Sequence, residues 1–202
     1  MPSKLLTDRR QQIIDAAFQV FSRKGFKGAT NRDIAAQAGI APGLIYWYFR
    51  TKEELLQATA DAKSPLFPLI RLTDEMLDAP PREFFRRVAS LFLERLYSDP
   101  QMTAVARFLF AEALRYGPIR KLMRERVISR GLDAVARYIS TQIERGTIRP
   151  IHPLVAARLF MGMLMSQILL GRLLELELPV SPARLAEDLV ETYLDGVLVH
   201  GS

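Results

Sequence analysis

The chain has 202 residues, 49% of them hydrophobic and 25% charged, which describes a folded globular protein with room for one or two domains. It contains no cysteine, and this excludes disulfide scaffolds, thiolate metal sites and cysteine nucleophiles. The net charge is +6, of which the first 50 residues carry +5, so the composition favours a polyanionic partner for that quarter over a merely solvated basic face.

Apolar residues recur at helical spacing along almost the whole chain, and no alternating run predicts a strand. The first predicted helix runs from about residue 7 to 24, and Gly25 is expected to end it in the left-handed conformation. Prolines near helix starts, where the missing N–H is tolerated, place later helices at about 81–97, 100–115, 118–145, 153–176 and 182–199. Together with the short helices described next, these elements predict an all-α fold of about nine helices.

Residues 30–49 have the pattern of two short helices joined by a tight turn. Thr30 and Asp33 match a capping box, and Gly39 can adopt the positive φ that ends a helix after two turns. Pro42 then predicts a second short helix to about Tyr48. This is the helix-turn-helix pattern, in which the second helix enters the major groove of DNA.

A further capping box, Thr51 with Glu54, predicts a helix that begins at Lys52. Pro65 and Pro68 interrupt it, so we expect a stop or a kink between residues 64 and 68.

The second short helix is unusual for a buried element because residues 46–49 are four consecutive aromatics. Four adjacent positions go all round a helix, so at least two of these side chains must face outward. Tyrosine hydroxyls next to Arg32, Arg50 and Lys52 suit contact with phosphate oxygens.

These residues together resemble the DNA-binding domain of the TetR (tetracycline repressor) family of bacterial regulators. The resemblance covers about residues 7–67 and rests on T-x-R-D-I-A-x-x-A-G-I at 30–40, G-L-I-Y-W-Y-F at 43–49 and K-E-E-L at 52–55. It implies a DNA-binding domain at 1–67, with its motif at about 30–49, and a ligand-binding and dimerisation domain at 68–202.

The resemblance also implies DNA contacts. Arg32 would reach a base edge, preferably guanine, while Lys52 would bind phosphate. The residues implied to contact DNA are Thr30, Asn31, Arg32, Gly43, Leu44, Tyr46, Trp47, Tyr48 and Lys52. Ile45 and Phe49 are expected in the core. Pro42 stands where relatives often carry a polar or basic side chain, so we expect direct readout to depend on Arg32 and on apolar contacts with thymine methyl groups.

The last two predicted helices carry more apolar surface than one small core can use. In the family these helices form the dimer interface, although an ordinary core has a similar composition. The residues expected at the interface are Phe160, Leu164, Ile168, Leu189 and Tyr193. A twofold dimer would place its recognition helices about 34–36 Å apart, or a multiple of this, and predicts a palindromic operator.

An effector pocket is expected between helices of the second domain. Its predicted lining is Phe85, Phe92, Leu96, Phe108, Met123 and Met163, although such a stripe is also typical of plain core. A basic cluster at 120–130 fits either an anionic ligand or a solvated helix face. A small apolar or amphipathic ligand that favours the wrong spacing of the recognition helices would release the DNA.

Neither the N-terminal segment nor the most apolar segment of the chain has the pattern of a signal or a membrane span. The start MPSKLLTDRR lacks the apolar segment of a secretory signal, and the 13 uncharged residues of 159–171 are shorter than the ~20 that span a bilayer. We therefore expect a cytoplasmic protein with a buried helix there and no membrane partner.

An enzyme would need catalytic or metal-binding groups. His152 and His200 lie at helix ends without a second ligand at metal spacing, so we expect no catalytic residue, cofactor or metal. A non-specific architectural DNA protein would spread its basic residues along the whole chain. The sequence thus favours a ligand-responsive, dimeric repressor that binds double-stranded DNA, with activation as an open alternative.

Overall fold

The computed structural model describes residues 2–63 and 66–197, and all regular structure within these ranges is helical. The α-helices are α1 (Pro2–Gly28), α2 (Asn31–Ala38), α3 (Pro42–Tyr48), α4 (Lys52–Lys63), α5 (Leu66–Glu75), α6 (Pro81–Ser98), α7 (Pro100–Arg115), α8 (Gly117–Leu122), α9 (Ser129–Glu144), α10 (Pro153–Gln167) and α11 (Pro182–Val197). A π-helical segment, Met123–Ile128, joins α8 to α9, and a second, Ile168–Leu173, extends α10. The predicted all-α fold is confirmed.

The helix boundaries differ from the predicted ones in detail. Gly25 has the expected positive φ, 69°, but its ψ of 168° is extended and not left-handed helical, and it interrupts α1 without ending it, because helical residues resume and continue to Gly28. The helix predicted at 153–176 ends at Leu173. The predicted end of the last helix near 199, and His200, lie outside the described residues, as do residues 64 and 65 of the predicted kink.

Packing divides the chain into two compact units. The first unit consists of residues 1–64 and 104–123, and the second unit consists of residues 65–103 and 124–202. The predicted division at 67/68 does not place 104–123 with the N-terminal helices. The assignment of DNA binding to 1–67 and of ligand binding to 68–202 stays a prediction.

The core of the first unit is built on the apolar stripe of α1. Ile13 and Phe21 are fully buried, and the Phe21 ring stacks on Phe108 at a centroid distance of 6.1 Å. On α2 the buried positions include Ala35 and Ala38, whose small side chains let neighbouring helices approach closely. This packing holds α1 to α4 together with residues 104–123 as one unit.

An aromatic cluster forms the centre of the second unit. The ring of Phe84 stacks on Tyr138, and the ring of Phe85 lies 4.7 Å from Phe160 and 4.9 Å from Tyr193, centroid to centroid. The Tyr138 hydroxyl donates to a backbone carbonyl at 2.7 Å and the Tyr193 hydroxyl to another at 3.1 Å, so both phenols are satisfied although buried. Burial raises the pKa of both phenols above its usual value. The cluster joins α6, α9, α10 and α11.

The continuous helix Pro153–Leu173 is long and apolar enough to cross a membrane, judged by length and composition alone. One face, including Ala156 and Phe160, is buried inside the second unit, and a core helix of a soluble protein meets the same criterion. The predicted buried helix at 159–171 is therefore buried on one face only. Leu159 and Leu169, on its other face, are each about half exposed.

Candidate nucleic-acid interface

The start of α2 is fixed by the predicted capping box. The Thr30 hydroxyl oxygen accepts from the Asp33 amide at 3.1 Å, while an Asp33 carboxylate oxygen accepts from the Thr30 amide at 3.1 Å. At the other end, Gly39 has a φ of 63° and a ψ of 38°, the left-handed conformation that a side chain disfavours. These local devices hold α2 to two turns and direct the chain into α3.

The recognition-helix candidate α3 divides its side chains between core and solvent. Ile45 and Phe49 are each 1% exposed, so their predicted place in the core is confirmed. Tyr46 is 59% exposed and Trp47 73%, whereas Tyr48 is half-buried. The expectation that at least two of the four aromatics face outward is therefore confirmed.

The remaining predicted contacts near the two helix starts lie at or close to the surface. Arg32 is exposed, and its guanidinium makes no hydrogen bond or ion pair with the part of the chain that the structure describes. Gly43 is exposed with open space around it, and Leu44 is half-buried. Asn31 is half-buried, and its buried side-chain oxygen has no partner among the described residues.

Lys52 makes internal contacts that its predicted phosphate role does not include. Its ammonium donates to the carbonyl oxygens of Phe26 and Ala29, both at 2.9 Å, and lies 4.6 Å from the centroid of the Phe26 ring. An ammonium has three N–H donors, so one remains. Lys52 therefore links α4 to the end of α1. The sequence motif does not reveal this link, because the partners are backbone atoms 23 and 26 residues away.

Asp33 is held strongly ionised. Hydrogen bonds from the Lys24 ammonium at 2.7 Å and from the hydroxyl and amide of Thr30 lower the pKa of its carboxyl from 3.8 to about 2. Because the folded pKa lies below the unfolded one, this carboxylate stabilises the fold fully above the unfolded value, and the contribution is lost as the pH falls toward about 2.

We therefore expect Asp33→Asn to lower the free energy of unfolding at neutral pH and to have a progressively smaller effect below about pH 4. Urea unfolding of both proteins across this pH range measures the difference. A gap between them that stays constant on acidification would contradict the ionic origin of the stabilisation.

The predicted pocket residues are distributed over both cores. Phe108 and Met123 belong to the first unit, whereas Phe85, Phe92 and Leu96 are fully buried in the second. Met163, also in the second unit, is half-buried. Which of them face an effector stays a prediction.

A surface groove of about 610 Å³ lies along α6 and α11 and differs in chemistry from the predicted pocket. Charged side chains from both helices line it, among them Arg82, Glu83, Arg184 and Glu187. Sequence reasoning missed this groove because its residues come together only through packing of two distant helices.

The five residues predicted at the dimer interface do not lie on the surface of the single chain. Phe160, Leu164, Ile168, Leu189 and Tyr193 are between 0% and 6% exposed within the single chain. Side chains that are already buried have no surface left to offer a partner. All five lie on inward faces: Phe160, Leu164 and Ile168 on the helix Pro153–Leu173, which is apolar on two faces, and Leu189 and Tyr193 on α11.

The outward face of the same region is apolar too. Seven of the ten large apolar side chains that are exposed in the described ranges lie between residues 155 and 180. They are Val155, Leu159, Leu169, Leu170, Leu174, Leu176 and Val180. Gly162 lies exposed on α10, and no atom of the residues that the structure describes comes within 4 Å of an added Cβ.

The two units differ more in net charge than the first 50 residues differ from the rest of the chain. The first unit has 14 lysine and arginine residues against seven acidic ones, a net charge of +7, and the second has 14 against 15, a net charge of −1. Arg115, Arg120 and Lys121 add to this positive charge because they lie in the 104–123 segment. That segment belongs to the first unit although it is distant in sequence from residues 1–64. The unit with the exposed aromatic helix is therefore also the positively charged one.

Two family models match the chain. Residues 13–59 match the tetR family of bacterial regulatory proteins, and residues 72–196 match the C-terminal domain of AefR-like transcriptional repressors. The two matches together leave few residues of the chain unassigned.

Curated relatives are regulators with the same kind of motif. The nicotine-responsive transcriptional repressor HdnoR of Paenarthrobacter nicotinovorans is 36% identical over 50% of this chain and 52% of its own length. The transcriptional regulator EthR of Mycolicibacterium smegmatis is 25% identical over 94% of this chain and 86% of its own. The chain spans about half or less of the length of HdnoR and of two regulators from Pseudomonas putida, SrpR and TtgW.

Solved structures share the fold over nearly the full length. FadR of Bacillus subtilis, in complex with stearoyl-CoA, gives a TM-score of 0.75 at 23% identity and covers 94% of this chain and 99% of its own. SmeT of Stenotrophomonas maltophilia, in complex with triclosan, gives 0.80 at 20% identity over 96% and 93%. With an N-terminal and a C-terminal family model matched along one helical chain, the protein belongs to the TetR family of bacterial regulatory proteins.

Proposed function

We propose that the protein is a cytoplasmic, ligand-responsive transcriptional repressor that binds a palindromic operator as a homodimer. The observation that carries this proposal is the surface of the first unit. Arg32, Tyr46 and Trp47 are all exposed on the two short helices of the motif, in the unit that holds the whole positive net charge. An exposed cation with no partner among the described residues, in the same motif as two exposed aromatics, suits a duplex with charged phosphates and flat bases.

Each of the residues predicted to contact DNA would make the kind of contact that its side chain allows. Arg32 would read a guanine edge, because its guanidinium is free to form a bidentate contact. The hydroxyls of Tyr46 and Tyr48 would bind phosphates and set the register, whereas Thr30, whose hydroxyl donor is held by Asp33, would lie next to the duplex as the cap of α2. The remaining N–H of Lys52 would add a phosphate contact. Asn31, Gly43, Leu44 and Trp47 would face the duplex around these contacts.

Dimerisation would use the outward apolar face, not the buried stripe. Val155 and Leu159 on α10 and Leu169 on its π-helical extension remain about half exposed in the single chain. Gly162 between them would let a second copy approach closely. Large exposed apolar patches on a soluble chain mark interaction sites, and a twofold pairing of this face would present two recognition helices to one duplex.

The effector would be a small apolar or amphipathic molecule. A nicotine-responsive repressor among the relatives, and solved neighbours in complex with stearoyl-CoA and with triclosan, support ligands of this class. Phe85, Phe92, Leu96, Phe108, Met123 and Met163 stay the candidate lining. Binding that favours a conformation with the wrong recognition-helix spacing would release the operator.

Enrichment of duplexes from a randomised pool tests the proposal. We expect the protein to select an inverted repeat and to bind this selected duplex, called the operator duplex below, at least about 10³-fold tighter than a scrambled duplex at the same salt concentration. Equal affinities for the two duplexes would instead favour a non-specific architectural protein.

A further inference from the structure

The interruption in α1 leaves a backbone amide without a place in the helix ladder. Gly25 has a φ of 69° and a ψ of 168°, and its carbonyl accepts from the Ala29 amide at 3.2 Å. Residues 26–28 therefore form a new helical turn that starts at Gly25. The N–H of Phe26, the first residue of that turn, has no carbonyl of its own helix to bond to.

A carboxylate from a distant part of the chain satisfies this amide. An oxygen of Glu112, on α7, accepts from the Phe26 N–H at 3.0 Å, and both residues belong to the first unit. The other carboxylate oxygen would lie only 3.1 Å from a Cβ at Gly25. Glu112 thus acts as the N-terminal cap of a turn 86 residues away, where a negative charge is favourable.

The same turn is held on its carbonyl side by Lys52. The ammonium donates to the carbonyls of Phe26 and Ala29, and the Phe26 side chain is buried against the ring of Tyr116 at a centroid distance of 5.3 Å. The turn 25–29 is therefore held from two sides, by α4 through Lys52 and by the 104–123 segment through Glu112 and Tyr116.

This turn leads directly into the motif. Ala29 is followed by Thr30, the N-cap of α2, and Arg32 lies in the first turn of that helix. We propose that Glu112 is a positioning residue for DNA binding: by capping Phe26 it fixes the turn 25–29, and through this turn the entry of α2 and the placement of Arg32. The inference rests on the proposed function because its consequence is measured on DNA.

Three variants of Glu112 distinguish the effect of its hydrogen bond to Phe26 from the effect of its negative charge. Glu112→Ala removes the acceptor and the charge, Glu112→Gln removes the charge but keeps an oxygen acceptor of the same reach, and Glu112→Asp keeps the charge on a shorter side chain. The matched control is Glu94→Ala, which removes an exposed carboxylate of α6 that makes no ion pair within the described residues.

Two measurements are made on each full-length variant. For Glu112→Ala and Glu112→Asp we expect amide hydrogen exchange at Phe26 to be at least about tenfold faster, and the affinity for the operator duplex to be about five- to tenfold weaker. We expect Glu94→Ala to stay within about twofold of the wild type in both, and Glu112→Gln, which keeps the hydrogen bond but loses the favourable charge, to lie between the wild type and Glu112→Ala. If Glu112 acted on DNA affinity only through its negative charge, Glu112→Ala and Glu112→Gln would bind the operator duplex equally. That result would contradict the positioning role.

Each measurement can overturn the inference. Unchanged exchange at Phe26 in Glu112→Asp would show that the carboxylate does not hold the turn. Faster exchange with unchanged operator affinity would show that the turn does not position α2. Failure of the wild type to select any duplex would refute the proposed function, while the exchange result would still report on the cap.

Discussion

Replacing Arg32 by alanine is expected to weaken binding to the operator duplex by about five- to 150-fold per half-site and to relax base preference at one position in each half. A bidentate guanidinium contact with guanine contributes about 1–3 kcal/mol of discrimination, and Arg32 is exposed and unpaired with any described residue, so nothing else would hold its side chain. Titration against operator duplexes with single base-pair substitutions measures both effects.

Lys52→Ala is the comparison for this result. Loss of its phosphate contact should weaken binding by a similar factor on every sequence, and any change in base preference, caused through the turn 25–29 that Lys52 also holds, should be smaller than that of Arg32→Ala. Because Lys52 also donates to the carbonyls of Phe26 and Ala29, we expect its loss to lower the free energy of unfolding by about 1 kcal/mol per hydrogen bond. If the two variants changed base preference alike, the assignment of base reading to Arg32 would be wrong.

Leu159→Glu is expected to raise the dimer dissociation constant by about two to four orders of magnitude. Leu159 is 55% exposed in the single chain, so a glutamate there is tolerated by the monomer. In a dimer formed through the outward face of α10 the carboxylate would be buried without a partner, and such an uncompensated charge costs about 3–5 kcal/mol. Affinity for the operator duplex should fall with it, because a monomer presents a single recognition helix.

Leu114→Glu provides the matched control. Leu114 is also an exposed leucine on a helix, at 83%, but it lies on α7 and not on the proposed dimer face. Sedimentation of both variants and the wild type over a range of concentrations measures dissociation. A Leu159→Glu protein that stays dimeric, or a Leu114→Glu protein that dissociates equally, would remove the outward face of α10 as the interface.

The helix-turn-helix could be predicted because its determinants are local. The capping bonds between Thr30 and Asp33 join residues three apart, and the left-handed Gly39 ends α2 without help from another element. The same holds for the outward aromatics, since four adjacent positions cannot all face one side of a helix. These features depend on spacing within one or two turns, which is written directly in the order of residues.

The residues of the dimer interface could not be predicted from the sequence of α10 in the same way. Leu159 and Phe160 are neighbours of similar hydrophobicity, yet one is half exposed and the other fully buried. Helical periodicity identifies two apolar stripes but carries no information about which one meets the aromatic cluster of Phe85 and Tyr193.

The order of residues by itself determined the all-helical class, the two short helices of the motif, the outward aromatics of α3 and the family. Only the tertiary structure decided which face of α10 is free, that Lys52 holds carbonyls of α1, and that Glu112 caps Phe26. The physical reason is the range of the interactions. Caps and helical stripes join residues a few positions apart, whereas these contacts join groups 23 to 86 residues apart that meet only when whole helices pack.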